Sequence, residues 1–123
     1  MLMRVGDLMK HTSWEAIEAE QLSDKITRRA LHGQHATLAR FFLAEGAVVA
    51  RHEHESEQYS MVLSGALKMI FDDREVVLRP GDVMFISSHE PHAAEALEDT
   101  MVQDVFAPRR EDWILKNDAY LRG

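Results

Sequence analysis

The alternation of apolar and polar residues predicts a chain of short β-strands. In the segment 36–43, for example, alternate positions place Ala39, Phe41 and Leu43 on one face of a strand. Similar segments recur at close spacing, separated by turn-forming residues. The pattern predicts nine strands, at Lys25–Leu31, Ala36–Leu43, Ala47–His54, Gln58–Leu63, Ala66–Phe71, Glu75–Leu78, Val83–Ile86, His92–Leu97 and Met101–Phe106. Many short strands joined by tight turns indicate an all-β sandwich or barrel.

Helical patterns are confined to the two ends of the chain. Ser13 is a typical N-cap residue for one helical turn over residues 14–18, and the segment 108–121 is expected to end in a short helix around Trp113. We expect one domain in three parts. These are an N-terminal arm with the first strands (residues 1–35), a barrel (36–107) and a C-terminal turn with a short helix (108–123). The composition of Val83–Ile86 predicts a buried strand.

Composition excludes several classes of partner. A net charge of −7 argues against binding to nucleic acids or to anionic membrane surfaces. No apolar run is long enough for a membrane span, and no signal peptide is recognisable. The sequence contains no cysteine, which excludes disulfides and thiolate metal ligands. We therefore expect a cytoplasmic protein without a membrane partner.

Two histidines at the end of an apolar strand give the strongest chemical signal. Residues two apart on a strand point to the same face about 6.6 Å apart, so His52 and His54 could reach one metal ion. A strand that continues through His54 would carry Val48 and Ala50 on that same face. Gln58 could join the two histidines only if the chain turns at residues 55–57 and returns beside itself.

These residues resemble the first of two sequence motifs of the cupin family. That motif has a glycine, two histidines, a glutamate and a second glycine at fixed spacing, matched here by Gly46, His52, His54, Gln58 and Gly65. Glutamine thus replaces the usual glutamate. In the second motif Gly81 and His92 match. The family's usual proline, glycine and asparagine are replaced by Ser87, His89 and Ala96.

The resemblance implies a double-stranded β-helix, the cupin jelly-roll barrel. It also implies one divalent metal ion, held inside by His52, His54, Gln58 and His92. Imidazole and oxygen ligands suit Mn, Fe, Ni, Co and Zn alike. Glu57 is the alternative to Gln58 and would change the charge at the ion. His89 is expected at the rim, outside the ligand set.

Within the cupins, the segment 104–113 resembles the KdgF group of pectin-degradation proteins. That group also has a glutamine ligand, although there it follows the second histidine by five residues rather than four. The resemblance implies conversion of unsaturated uronates to linear keto forms, with Asp104 and Arg110 as catalytic residues. Asp104 would move a proton and Arg110 would hold the substrate carboxylate. The alternatives are a solvated carboxylate at Asp104 and a salt bridge from Arg110 to Glu111, Asp112 or a neighbouring loop.

Four neutral ligands leave the full charge on the metal, which favours an anionic small-molecule substrate. The first hypothesis is therefore a metal-dependent isomerase or lyase acting on a small oxo- or hydroxy-carboxylic acid. A metal-dependent (Fe or Mn) dioxygenase and a non-catalytic small-molecule-binding cupin are the alternatives. Exposed sheet edges and the apolar arm over residues 1–10 also predict a homodimer.

Overall fold

The computed structural model describes residues 11–122, which form two antiparallel β-sheets with a few short helical turns near the termini. The predicted apolar arm, residues 1–10, lies outside this range. The described residues form ten strands, with bounds β1 (Glu20–Gln21), β2 (Ile26–His32), β3 (Thr37–Leu43), β4 (Val48–His52), β5 (Glu57–Ser64), β6 (Leu67–Phe71), β7 (Glu75–Leu78), β8 (Val83–Ile86), β9 (His92–Ala96) and β10 (Thr100–Ala107). The all-β jelly-roll prediction is confirmed.

The strands are divided between a six-stranded and a four-stranded sheet. The larger has the order β1-β2-β3-β10-β5-β8, and the smaller has the order β4-β9-β6-β7. Alternate residues of β2, β3 and β10 are buried, so one face of the larger sheet packs on the core. Ala39, Phe41 and Leu43 are on this buried face, as their alternation predicts. The two sheets therefore enclose the barrel interior between their inner faces.

The nine predicted strands are all present, with small differences at their ends. The two-residue β1 was not predicted, because two residues are too few to show alternation. Strand β8 is not buried as its composition suggested: Val83 and Phe85 are 66% and 44% exposed. It forms an edge of the larger sheet, and composition alone does not distinguish an edge strand from a central one.

The predicted alternation of β4 is also wrong, because the strand contains a bulge. Val49 pairs with Ala94 and His52 pairs with His92, so β4 has two intervening residues where β9 has one. The extra residue shifts the phase of the alternation. Val48 and Ala50 consequently face solvent, Val49 is buried, and His52 points into the barrel.

Short helical turns flank the barrel on both sides. The Ser13 hydroxyl accepts a hydrogen bond from the Ala16 amide and caps a 3-10 turn at Trp14–Ala16, as predicted. The single helical turn α1 spans Glu111–Ile114, and a second 3-10 turn spans Ala119–Leu121. None of the helices among residues 11–122 is long and apolar enough to cross a membrane.

Buried contacts hold this C-terminal segment on the barrel. The Trp113 side chain is 1% exposed and packs edge-on against Phe41 and Phe106, with ring centroids 5.7 and 5.0 Å away. The side chains of Arg28 and Asp118 are both fully buried and form an ion pair of 3.0 Å. The segment therefore forms part of the wall of the barrel interior.

Candidate metal centre

Three histidines meet inside the barrel. His52 ends β4, His54 follows it, and His92 begins β9 directly opposite His52. One ring nitrogen from each histidine lies within 4.8 Å of the other two. The ring centroids are 4.3 Å apart for His52 and His92, and 5.0 Å apart for His54 and His92. The structure thus brings together the three histidines that the sequence singles out.

Backbone carbonyls fix the protonation of all three rings. Each Nδ1 lies 2.7–2.8 Å from a carbonyl oxygen, in the pairs His52–Ala50, His54–Ser56 and His92–Glu90. A carbonyl only accepts hydrogen bonds, so each Nδ1 carries the proton and each Nε2 keeps a lone pair. Metal-ligating histidines are commonly oriented by such a hydrogen bond from the second ring nitrogen.

Two further observations show that these residues fit a divalent metal ion. His92 Nε2 is buried and has no hydrogen-bond partner among residues 11–122, an arrangement that costs about 1–3 kcal/mol for a polar group. His54 Nε2 and Gln58 Oε1, both acceptors, lie 3.0 Å apart. Two ligand atoms about 2.1 Å from one octahedral ion also lie about 3.0 Å apart. A shared cation would satisfy all of these lone pairs.

Gln58 rather than Glu57 reaches the histidines. The side chain of Gln58 is buried, whereas Glu57, one position earlier in β5, faces solvent. The Gln58 amide nitrogen donates to Ser60 Oγ at 2.9 Å, which directs the amide oxygen towards His54. The geometry favours Gln58 over Glu57, and its role as a ligand stays a prediction.

The histidines are poor bases. Burial, followed by the proximity of His92, lowers the pKa of His52 to about 3. Burial, followed by the charge of Arg110, lowers the pKa of His54 to about 4. The pKa of His92 is also lowered, mainly by burial. At neutral pH all three rings are therefore in the uncharged form that binds metals.

Asp104 lies in the same interior, on β10 opposite Ser60 of β5. Its side chain is buried, and Oδ1 has no hydrogen-bond partner among the described residues. Burial raises the pKa of Asp104 to about 7, although the Ser60 hydroxyl and the charge of Arg110 act in the opposite direction. Asp104 is therefore not a solvated carboxylate. It is a buried group that titrates near neutrality.

Arg110 is buried, but most of its donors are already used. Nε and Nη2 donate to the two carboxylate oxygens of Asp112 at 3.0 and 2.7 Å. The guanidinium also lies over the rings of Phe106 and Trp113, at 4.7 and 4.5 Å from the ring centroids. The salt bridge considered from the sequence is thus present. Nη1 has no hydrogen bond to any residue in 11–122 and remains the donor for an anion.

Tyr120 is a site residue that the sequence did not indicate. Its ring stacks on that of His52, with centroids 4.1 Å apart and an interplanar angle of 19°. Its hydroxyl oxygen accepts hydrogen bonds from Arg110 Nη2 and, at 3.1 Å, from Trp113 Nε1. No motif contains Tyr120, and only the packing of the C-terminal segment brings it to the histidines.

His89 is exposed and pairs with Glu53 at 3.3 Å, outside the cluster as predicted.

A cavity of about 490 Å³, counting its mouth, contains these groups. Its polar side is formed by His52, Gln58, His92, Asp104, Arg110 and Tyr120. The remaining lining is largely apolar and aromatic. The groups that could bind a ligand therefore share one interior with an apolar wall.

A jelly-roll barrel with convergent histidines inside defines a class of β-barrel proteins suited to hold a divalent metal. The chain belongs to the cupin family, because the family model for the cupin domain matches residues 39–106. KdgF from Halomonas sp. is 31% identical, with a TM-score of 0.73 over 78% of this chain and 92% of that protein.

Other solved structures are also similar to this chain. An RmlC-like cupin from Shewanella frigidimarina is 26% identical, with a TM-score of 0.80 over 86% of this chain and 96% of that protein. The polyketide cyclase RemF from Streptomyces resistomycificus is 26% identical, with a TM-score of 0.71 over 82% and 80%. A search of the curated proteins found no match.

Proposed function

We propose that this cupin is a metal-dependent isomerase or lyase that acts on a small oxo- or hydroxy-carboxylic acid, such as an unsaturated uronate. One observation carries the proposal. A buried carboxyl group that titrates near neutrality, Asp104, lines the same cavity as a set of neutral metal ligands. The similarity to KdgF supports the choice of a uronate among such acids.

His52, His54, His92 and Gln58 would hold the metal ion. When bound, this ion supplies Lewis-acid chemistry at an oxygen of the substrate. The four side chains are uncharged at neutral pH, because burial keeps the imidazoles deprotonated and the amide carries no charge. The cavity consequently favours a substrate that brings its own negative charge.

Asp104 would move the proton. In the ring opening of an unsaturated uronate, a proton leaves the hemiacetal hydroxyl, the ring C–O bond breaks and a carbon of the double bond gains a proton. The product is an isomer, so no co-reactant is needed. A carboxyl group with a pKa of about 7 can both accept and donate a proton at neutral pH. Its unpartnered Oδ1 is the atom that would do so.

Turnover of an unsaturated uronate tests the proposal. We expect the protein, loaded in turn with Mn, Fe, Ni, Co or Zn, to accelerate the loss of the ultraviolet absorbance of the conjugated double bond. The matched control is the His52→Ala variant under the same conditions. Metal-bound protein that leaves the absorbance unchanged contradicts the proposal. Oxygen uptake by the iron form would indicate a dioxygenase, and binding without turnover a non-catalytic module.

We also propose that two copies pair through the outer face of the larger sheet. One row across five strands of this face is entirely apolar or aromatic, comprising Leu31, Leu38, Val105, Tyr59 and Phe85. Five strands of about seven residues cover roughly 550 Å² in projection. The accessible area of the side chains on this face is larger than the projection, and it approaches the roughly 800 Å² that each partner buries in a standard interface. A second copy offers an equally apolar and equally flat surface.

Light scattering after size-exclusion chromatography tests this pairing. We expect a dimer for the unmodified protein and a monomer for Phe85→Lys, because the lysine would place a charge in the apolar row. Leu115→Lys is the control, since Leu115 is 66% exposed in the C-terminal segment, outside this row. A monomeric unmodified protein, or a Phe85→Lys variant that stays dimeric, would contradict the proposal.

A further inference from the structure

We propose that Tyr120 is a specificity-determining residue that, with Nη1 of Arg110, binds the carboxylate of the substrate. The inference rests on the proposed function in one respect, namely that the substrate is a carboxylic acid. It assigns the recognition of that acid to the C-terminal segment, which lies outside both cupin motifs. Tyr120 has no counterpart among the site residues expected from the sequence.

The hydrogen bonds of the Tyr120 hydroxyl carry the first step. Its oxygen accepts from Arg110 Nη2 and from Trp113 Nε1, which uses both of its lone pairs. The hydroxyl hydrogen must therefore point elsewhere. The acceptor available among residues 11–122 is Asp112 Oδ2 at 3.4 Å, well beyond the usual O–H···O distance of about 2.5–3.0 Å. This bond to Asp112 is long, so a ligand oxygen at the usual distance would take its place.

Arg110 provides the second donor. Nη2 is committed to Asp112 and Tyr120, and Nε to Asp112, whereas Nη1 has no partner in the described chain. Nη1, which is free, and the Tyr120 hydroxyl, which is held only by a long bond to Asp112, are therefore two donors on side chains that are hydrogen-bonded to each other. Two adjacent donors match the two oxygens of one carboxylate.

Packing holds this pair beside the metal cluster. The Tyr120 ring stacks on His52 with the ring centroids 4.1 Å apart, which places Tyr120 beside a predicted metal ligand. Arg110 is confined between aromatic rings and is 2% exposed. Neither side chain needs to be ordered when a ligand arrives, which limits the entropic cost of binding. A neutral sugar of the same size would offer Nη1 of Arg110 no charged acceptor.

The experiment compares an acid with its neutral analogue. Binding of D-galacturonate and of D-galactose to the zinc-loaded protein is measured by calorimetry for the unmodified chain and for Tyr120→Phe. Phenylalanine keeps the ring that stacks on His52 and removes only the hydroxyl. We expect Tyr120→Phe to weaken galacturonate binding at least about 10-fold, the value of one hydrogen bond to a charged group, without changing galactose binding.

Ser64→Ala is the control, because it also removes one hydroxyl and Ser64 is exposed at the end of β5, outside the site. It should leave both affinities unchanged. The metal content of Tyr120→Phe should equal that of the unmodified protein, which separates recognition of the carboxylate from loss of the metal site. Equal loss of acid and neutral sugar binding, or no loss at all, overturns the inference. So does an unmodified protein that does not prefer galacturonate.

The outcome is separable from that of the proposed function. A protein that binds galacturonate through Tyr120 but does not turn over an unsaturated uronate would retain this inference and lose the enzymatic proposal. If turnover is observed, Tyr120→Phe should raise KM with little change in kcat, because a carboxylate remote from the reacting bond is held equally in the ground and transition states.

Discussion

Replacing His52 with alanine is expected to abolish stoichiometric metal binding. The ring of His52 contributes one of three neutral nitrogens that converge within 4.8 Å, and nothing else among residues 11–122 is placed to substitute for it. Removing a group that only orients a metal ligand typically weakens metal binding 10–100-fold, so loss of a ligand itself should exceed about 100-fold. Metal content per chain, measured by mass spectrometry on untagged protein after dialysis, checks this expectation.

His89→Ala is the control, since His89 is an exposed histidine at the rim and should not affect the metal. A second pair of variants separates the two candidates for the fourth ligand. Gln58→Ala should reduce metal affinity, whereas Glu57→Ala should not, because Glu57 faces solvent. Retention of one metal ion per chain in His52→Ala would contradict the assignment of His52 as a metal ligand. If Glu57→Ala reduced the metal affinity and Gln58→Ala did not, Glu57 would be the fourth ligand.

Replacing Asp104 with asparagine is expected to stabilise the metal-free protein above neutral pH and to abolish proton transfer. The pKa of Asp104 is about 7 in the folded chain and about 3.9 in an unfolded chain. Between these values the folded state holds more protons, so its stability falls as pH rises and the loss is complete above pH 7. The neutral amide avoids a loss of up to about 4 kcal/mol.

Urea unfolding with a chelator present, at pH 4 and at pH 8, measures this difference. The advantage of Asp104→Asn should be present at pH 8 and absent at pH 4. Asp112→Asn is an internal contrast: burial raises the pKa of Asp112, but the bonds from Arg110 outweigh it and lower that pKa. Its removal should therefore destabilise the protein at pH 8. If the metal-loaded protein turns over the proposed substrate, Asp104→Asn should slow that turnover about 10²–10⁴-fold. An equally active variant would exclude Asp104 as the proton carrier.

The sequence was sufficient for the fold and for the members of the histidine cluster. Alternation identified the buried face of β3 correctly, because a strand that covers a core has little freedom in which residues it buries. The spacing of His52 and His54 and the position of His92 after Gly81 were likewise sufficient, since they match a known motif.

The rest of the site depends on contacts that no local pattern encodes. Strict alternation predicted that His52 faces the interior, which is correct. It also placed Val48 inside, which is wrong, because it did not anticipate the bulge between Val49 and His52. Asp112 was only one of several salt-bridge partners that the sequence offered to Arg110. Tyr120 reaches His52 because Trp113 and Asp118 anchor the C-terminal segment. Their partners, Phe41 and Arg28, lie on other strands of the barrel.

The bulge in β4 makes the site depend on how the strand is paired as well as on side-chain identity. Val49 and His52 are three residues apart, and they share the inner face because the bulge takes up one residue between them. If Ala50 and Arg51 were both paired regularly, His52 would turn outward, and the barrel would lose a predicted ligand without any substitution. Deletion of one of these two residues would instead leave Val49 and His52 two apart, on the same face and in the same register with β9, so the chain can become shorter here and keep the histidine inside.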